Sequence, residues 1–248
     1  MCDQLAISWE HFPPKCFFPE EKDLKDIGGQ ILKNLRTNLD QQSVPSCPLH
    51  NMTTSKDDEY LLAILFSHIE NNLQLQTVIL KKIMRAINRS PAIRSFYTNN
   101  PKMVMVNGQP GVTITVDFSR IRKELDKIAR AAYYKDFGEK WIKDIEVYSP
   151  GILPDSEGKS KASAIYNGGV LYMSKSSEKL MKYYPKIGAH PEVFYHQIYR
   201  EPAQNFLFIR MVFYEGLVIM AMSKPDNLSE SVEQSITSTA EDLFTNSN

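Results

Sequence analysis

Cysteine is scarce in this chain, and long apolar runs are absent from it. Three cysteines among 248 residues do not make a disulfide framework. No apolar run reaches the roughly 20 residues that a membrane-spanning helix needs. The sequence begins Met-Cys-Asp-Gln, without the basic and apolar segments of a secretory signal. We therefore expect a cytoplasmic protein that does not associate with a membrane.

The chain also has no net charge, with 29 Lys and Arg residues against 29 Asp and Glu residues. The two signs are unevenly distributed. Residues 1–60 contain 6 basic and 10 acidic side chains, whereas residues 81–143 contain 14 basic and 5 acidic ones. An acidic region suits bound cations and a basic region attracts phosphates, as a nuclease requires. Solvation of helix surfaces is the more frequent reason for such clustering.

Hydrophobic periodicity and turn signals predict an α+β fold made of three segments. Residues 1–60 form a small N-terminal module, residues 61–100 a helical connector, and residues 101–248 an α+β domain with antiparallel strands. Ser55 and the acidic residues behind it are typical of a helix start. The next predicted helix, Leu73–Asn88, has an apolar face made of Leu80, Ile83, Met84 and Ile87.

The third segment begins with a hairpin and a basic helix. Asn107-Gly108 is a strong turn signal inside the hairpin pattern of Lys102–Val116. Asp117 or Ser119 then caps a helix over about 118–137, which Gly138 ends. The composition of residues 150–163 predicts a loop. Strands follow at residues 193–200, 205–214 and 216–223, and the C-terminal end is expected to be disordered.

Two short N-terminal stretches carry most of the chemistry. The first is Glu10-His11, followed by two prolines, and the second ends in Asn51. Histidine suits a base that deprotonates water, because its ordinary pKa lies near neutrality. Glu10 and Asn51 offer hard oxygen ligands for Mg²⁺ or Mn²⁺, and a second carboxylate comes from Asp58 or Glu59. These residues predict a metal-dependent phosphodiesterase.

A zinc clasp is the second chemical feature of this region. Cys47 and His50 have the C-x-x-H spacing of one zinc knuckle. The other two cysteines, Cys2 and Cys16, also lie in the first fifth of the chain. Either Cys16 completes a three-ligand structural zinc site, with Cys2 as a further candidate, or the site has been lost.

Three stretches together resemble the HNH endonuclease family. They read Glu10-His11-x-x-Pro-Lys15, Cys47-x-x-His50-Asn51 and Ser-x-Asp57-Asp58-Glu59-Tyr60. The resemblance implies a ββα-metal core of the treble-clef type over about 60 residues. It also implies that His11 activates water and that Glu10 and Asn51 bind the catalytic cation.

Two departures from the family pattern concern the metals. The third residue of the His-Asn-His motif, after which the family is named, is often a second histidine. In this sequence Asp58 and Glu59 occupy its place. The family's first zinc knuckle has two cysteines, and here only Cys2 precedes Glu10. A carboxylate still binds Mg²⁺, whereas the incomplete knuckle makes the zinc site the weaker part of the resemblance.

These features predict a metal-dependent HNH endonuclease that cuts DNA, with RNA not excluded. The alternative is a catalytically degenerate HNH fold that binds nucleic acid or protein as an inhibitor or regulatory subunit. The family's frequent setting suggests a third possibility, an effector that acts with a protein partner in a defence or toxin system. Trp9 is expected to pack inside the small module. The side chains expected to contact phosphates are Lys15, Lys123, Lys127 and Arg130.

Overall fold

The computed structural model describes residues 5–20, 39–48, 55–66, 73–99, 101–106, 109–152 and 161–226. Several predicted features lie outside these ranges. They are the candidate ligands Cys2, His50 and Asn51, the hairpin turn at residues 107–108 and the C-terminal end of the chain. In the described ranges the protein combines α-helices with antiparallel β-sheets, as the predicted α+β class requires.

The N-terminal segment contains a two-stranded hairpin followed by a helix. Strand β1, Ser8–His11, pairs antiparallel with strand β2, Ser43–Ser46, and Glu10 lies opposite Val44. Helix α1 then runs over Ser55–Phe66, with acidic residues in its first turn. Negative charge there is favourable because the helix dipole is positive at that end. The order of elements in this segment is therefore β, β, α.

Two further helices follow, α2 over Leu73–Arg89 and α3 over Pro91–Asn99. The predicted apolar face of α2 was wrong in part, because Leu80 is 43% exposed and Met84 is 51% exposed. A lysine explains the error: Lys82 belongs to the buried stripe and donates a hydrogen bond to the Phe18 carbonyl at 2.9 Å. The residues that α2 buries are Leu75, Val78, Ile79, Lys82, Ile83 and Ala86.

The predicted hairpin and basic helix are both present. Strands β3, Lys102–Val106, and β4, Gln109–Thr113, pair antiparallel. Helix α4 spans Phe118–Phe137, and the Asp117 carboxylate accepts a hydrogen bond from the backbone N–H of Arg120. Gly138 ends the helix with φ +71°, a conformation that glycine adopts without strain. Local capping chemistry thus determines both ends of α4.

The C-terminal segment is built on a five-stranded antiparallel sheet. Its strands, in spatial order, are β5 (Glu146–Tyr148), β9 (Leu217–Met222), β8 (Phe206–Phe213), β7 (Phe194–Glu201) and β6 (Ile187–His190). Strands β7, β8 and β9 confirm the three predicted ones to within a residue or two at each end. Strand β8 lies at the centre, where both of its edges are paired, and its residues 209–213 are buried.

Helix α5, Lys161–Leu180, was not expected from the sequence. The predicted loop at residues 150–163 was therefore wrong over its last three residues. Gly168 and Gly169 lie in the middle of the helix, where glycine costs about 1 kcal/mol relative to alanine. Among the side chains of this helix that the structure describes, Val170 and Ser177 are buried.

One buried cluster contains side chains from all three predicted segments. It includes Phe17 near the N-terminus, Leu61 of α1, Leu125 of α4 and Ile209 of β8. The hydroxyl of Tyr214 donates a hydrogen bond to the Phe17 carbonyl at 3.1 Å, which ties the N-terminal segment to the sheet. The described parts of the three segments therefore share a core.

Trp9 does not belong to that core. Its side chain is 64% exposed, and the prediction that it packs inside the small module was wrong. Alternation along β1 explains this, because Leu5, Ile7 and Trp9 share one face and all three are exposed. No helix in the described ranges is long and apolar enough to cross a membrane.

Candidate functional site

Four charged side chains converge where the N-terminal hairpin meets helix α4. The ammonium nitrogen of Lys127 lies 3.1 Å from Glu10 Oε1, 2.9 Å from Asp58 Oδ1 and 2.5 Å from Glu124 Oε2. We call Glu10, Asp58, Glu124 and Lys127 the acidic cluster. It joins three carboxylates from three different elements around one cation.

Each element positions its carboxylate for a local reason. Glu10 extends from β1, and the hydroxyl of Ser46 on the paired strand donates a hydrogen bond to its Oε2 at 3.1 Å. Asp58 lies in the first turn of α1. Glu124 and Lys127 are three residues apart on α4, so they share one helix face. Packing of α1 and β2 against α4 brings the three elements together.

The Asp57-to-Tyr60 stretch distributes its side chains among different partners. Asp57 binds Arg120 with Oδ1 2.5 Å from Nε, and the Tyr60 hydroxyl accepts a hydrogen bond from the Asp117 N–H at 2.8 Å. Glu59 lies 3.5 Å from Arg89 of α2. Of the two carboxylates predicted to assist the cation, Asp58 therefore joins Glu10, and Glu59 faces another helix.

The acidic cluster holds more negative than positive charge. Glu124 is 1% exposed, and its Oε2 lies 2.5 Å from the Lys127 ammonium, which it shares with Glu10 and Asp58. Burial raises the pKa of Asp58 to about 7, Lys127 acts in the opposite direction, and Glu124 and Glu10 raise it further. The pKa of Lys127 is also raised, since the attraction of the three acids exceeds the desolvation that lowers it. The cluster therefore favours uptake of a further positive charge.

The donor chemistry of the cluster fits a hard divalent cation. Carboxylate oxygens are the ligands that Mg²⁺ and Mn²⁺ prefer, and three of them face one point here. The ammonium of Lys127 lies at that point. Within the described ranges, no group of three or more His, Cys, Asp or Glu side chains is arranged to hold a metal ion. A cation would therefore share these oxygens with Lys127 or displace it.

His11 is the last residue of β1 and lies opposite Ser43 in the hairpin. Its side chain is half-buried. The next residue, Phe12, is buried, with its ring centroid 6.0 Å from that of His196. Packing of Phe12 thus fixes the chain directly after His11. The predicted partner of His11 in catalysis, Asn51, lies outside the described residues.

The zinc clasp stays a prediction. Cys47 is buried and Cys16 is half-buried, and the two do not form a disulfide with each other. Burial raises the pKa of Cys16, and the Asp58 carboxylate adds to the shift. Zinc binds the thiolate, so this environment works against Cys16 as a ligand unless the metal itself supplies the compensating charge. Cys2 and His50 lie outside the described residues.

The four basic residues predicted to bind nucleic acid fall into two groups. Lys15 and Lys123 are exposed, and their prediction as phosphate contacts stands untested. Lys127 is held in the acidic cluster. Arg130 binds Asp126 at 2.8 Å and donates hydrogen bonds to the carbonyls of Trp141 and Lys143. Lys127 thus connects α4 to β1 and α1, and Arg130 connects α4 to the chain that follows it.

Glu124 is the residue of the cluster that sequence reasoning missed. A signal for it exists in the sequence. Glu124 lies beside Leu125 and between Ile121 and Ile128, on the apolar stripe of an amphipathic helix. A carboxylate in such a stripe is buried with its helix and needs a charged partner. Lys127, one turn further along, is the nearest cation at helical spacing.

Comparison with known proteins finds no matching family model, no matching curated protein and no matching solved structure. The resemblance to HNH endonucleases therefore stays an inference from the quoted residues. The site is defined by its own geometry: the carboxylate of a Glu-His pair on β1 shares one lysine with two other carboxylates.

Proposed function

We propose that the protein is a metal-dependent phosphodiesterase of the HNH type that hydrolyses DNA. His11 is the general base, Glu10 and Asn51 hold the catalytic cation, and Asp58 assists them. Magnesium or manganese is the cation, and zinc has a structural role if Cys47 and His50 bind it. Lys15 and Lys123 are the exposed residues that would contact phosphates.

One observation carries the proposal. Glu10 and Asp58 are far apart in the sequence, yet their carboxylates lie 3.1 and 2.9 Å, respectively, from the ammonium nitrogen of Lys127. The order of β1, β2 and α1 is what brings them together. Glu10 is the carboxylate that the residue pattern selected as a cation ligand, and Asp58 is one of its two alternatives, with Glu59, for the second. Their convergence supports a cation site that includes Glu10, the residue before His11 in the sequence.

The chemistry assigned to the chain's own residues is simple. His11 accepts a proton from the attacking water, because an imidazole of ordinary basicity is partly unprotonated near neutral pH. The cation, when bound, stabilises negative charge on the phosphate and the leaving oxygen. Lys127 keeps the three carboxylates close together in its absence. Asn51 adds a neutral oxygen ligand without adding charge.

The decisive experiment is cleavage of plasmid DNA by the wild type and His11→Ala in Mg²⁺, Mn²⁺ and EDTA. We expect cleavage in either metal, none in EDTA, and at least a roughly hundredfold loss in the variant, the usual contribution of a general base. His190→Ala is the matched control, because His190 lies in the C-terminal sheet next to Glu192. Equal cutting by the two variants would remove His11 from the mechanism.

A second candidate function is a catalytically inactive binding module. It is favoured by the position of Lys127, whose ammonium stands where a cation would bind the carboxylates. On this hypothesis the lysine has replaced the metal, and the fold serves as an inhibitor or regulatory subunit. The exposed face with Ile7 and Trp9 is then available to a partner.

Calorimetric titration with MnCl₂ separates the two functions. A nuclease binds Mn²⁺ as the wild type and cleaves DNA. In an inactive module the wild type does not bind Mn²⁺, whereas Lys127→Met does, because removal of the ammonium frees three carboxylates for the metal. Neither protein cleaves DNA in that case. Lys123→Met is the matched control, since Lys123 is an exposed lysine on the same helix.

A further inference from the structure

We propose that the C-terminal sheet contains a binding site for a small organic molecule with one oxyanionic group, and that Arg210 is its anchor. The site is a cavity of about 470 Å³ between the sheet and helix α5. That volume is within the usual range for pockets that hold small ligands. The proposal does not depend on the nuclease hypothesis, because the residues involved lie outside the acidic cluster.

Arg210 is buried, and no acid among the described residues forms an ion pair with it. It lies on the central strand β8, opposite Gln197 of β7 and Met220 of β9, and is 5% exposed. Its Nη1 donates hydrogen bonds at 3.1 Å to the Tyr195 hydroxyl and to Gln197 Oε1. Both acceptors are neutral. Its Nε is buried and has no acceptor among the described residues.

A buried guanidinium of this kind is costly, because arginine in protein interiors is normally paired with an acid. Alternation along β8 places Arg210 on the face away from Ile209 and Met211, which belong to the main core. That face is the one that lines the cavity. The guanidinium N–H groups that lack an acceptor therefore border the cavity and can donate to a ligand in it. An oxyanion is the ligand that the planar guanidinium recognises best.

The remaining lining determines what kind of oxyanion fits. Lys175 adds a second positive charge and Glu178 a negative one, so the cavity wall is net positive by one charge. A ligand with a single anionic group matches this balance. Glu178 offers an acceptor for a hydroxyl or amino group elsewhere on the ligand. Its apolar part would contact Pro150, Leu171, Leu217 and Val218.

A carboxylate and a phosphate monoester share the recognised chemistry, and the test distinguishes them. Binding of benzoate, adenosine monophosphate and inorganic phosphate is measured by calorimetry on the full chain at constant ionic strength. We expect saturable one-to-one binding of at least one of the two organic anions. Arg210→Met should weaken it roughly tenfold or more, as loss of a charge-assisted hydrogen bond predicts.

Three further variants make the result unambiguous. Arg122→Met is the matched control, because Arg122 is exposed and does not line the cavity, and it should bind as the wild type does. Arg210→Lys keeps the charge but loses the fork, so it should bind with intermediate affinity. Leu171→Trp should block the cavity without touching Arg210. If none of the probes binds the wild type, or if Arg210→Met and Leu171→Trp bind as tightly as the wild type, the proposal is wrong.

Discussion

Two sheltered cations of the protein, Lys127 and Arg210, have opposite surroundings. Lys127 is 22% exposed at its side chain and contacts three carboxylates, whereas Arg210 is 5% exposed and, among the described residues, donates hydrogen bonds to neutral oxygen atoms. The first site has surplus negative charge and the second has surplus positive charge. A site with surplus charge is completed by a ligand of the opposite sign. The comparison therefore relates a candidate cation site near the N-terminus to a candidate anion site in the C-terminal sheet.

We expect the largest effect on stability when Lys127 is replaced. Lys127→Met leaves three carboxylates close together, one of them 1% exposed, so we expect a loss of about 3 kcal/mol in the free energy of unfolding at mildly alkaline pH. Urea denaturation measures this. Lys123→Met, on the same helix but exposed, should change the free energy by less than about 0.5 kcal/mol. Equal unfolding midpoints for the two variants would contradict a role of Lys127 in holding the acids together.

The next effect is a pH dependence that comes from Asp58. Its pKa rises from 3.8 to about 7 on folding, so the folded state binds this proton more tightly than the unfolded state. The stability from this group is therefore complete below its unfolded pKa and is lost as the pH rises through 7. In Asp58→Asn the side chain does not titrate, so this pH-dependent loss of stability is absent from the variant. Its stability relative to the wild type should rise by roughly 2 kcal/mol between about pH 5 and pH 8.

Unfolding in urea at a series of pH values tests this difference. The control is Asp57→Asn, because Asp57 precedes Asp58 on the same helix but is bound to Arg120. Its difference from the wild type should not show the same rise over this range. If the Asp58→Asn difference is also flat, the acidic cluster does not carry the surplus charge that the comparison with Arg210 assumes.

What the sequence predicted well in this protein is local. Asp117 and Gly138 define the ends of α4 by capping chemistry that involves only neighbouring residues; Gly138 was predicted, and Asp117 was one of two predicted caps, with Ser119. The strands of the sheet were also found, because alternation and turn residues are local patterns. The DNA-cutting function and the roles of His11 and Asn51 stay predictions, since they depend on resemblance and on residues that meet only through the fold.

What the sequence did not predict depends on packing between elements. The spacing of Glu124 and Lys127 fits a solvated basic helix, and only the fold places Glu10 beside them. Helix α5 has two central glycines, which give a weak local signal for a helix. Arg210 did leave a signal, a single charge in the apolar strand Phe206–Phe213, but its surroundings are visible only in three dimensions.

A smaller effect is expected at the hydroxyl that Arg210 contacts. Tyr195→Phe removes an acceptor from a charged donor and should cost about 1.5 kcal/mol of unfolding free energy. In an Arg210→Met background the same change should cost almost nothing, and this double-mutant cycle isolates the pair. Tyr199→Phe is the control on the same strand, since its hydroxyl makes only a long bond to Glu201 at 3.4 Å. An identical cost in both backgrounds would mean that the hydroxyl acts through packing alone.

The smallest change in unfolding free energy is expected for Arg210→Met. This substitution is compared directly with the one at Lys127. The substitution removes two hydrogen bonds, which destabilises the fold, but it also removes a buried charge that no acid compensates. These terms have opposite signs, and methionine fills a similar volume, so we expect a net change below about 1 kcal/mol by urea denaturation. Lysine to methionine at position 127 has no such compensation, because three acids lose their only shared cation. A loss of unfolding free energy at Arg210 as large as that at Lys127 would show that the guanidinium stabilises the fold. A change close to zero leaves ligand binding as the reason for a buried charge that no acid among the described residues pairs with.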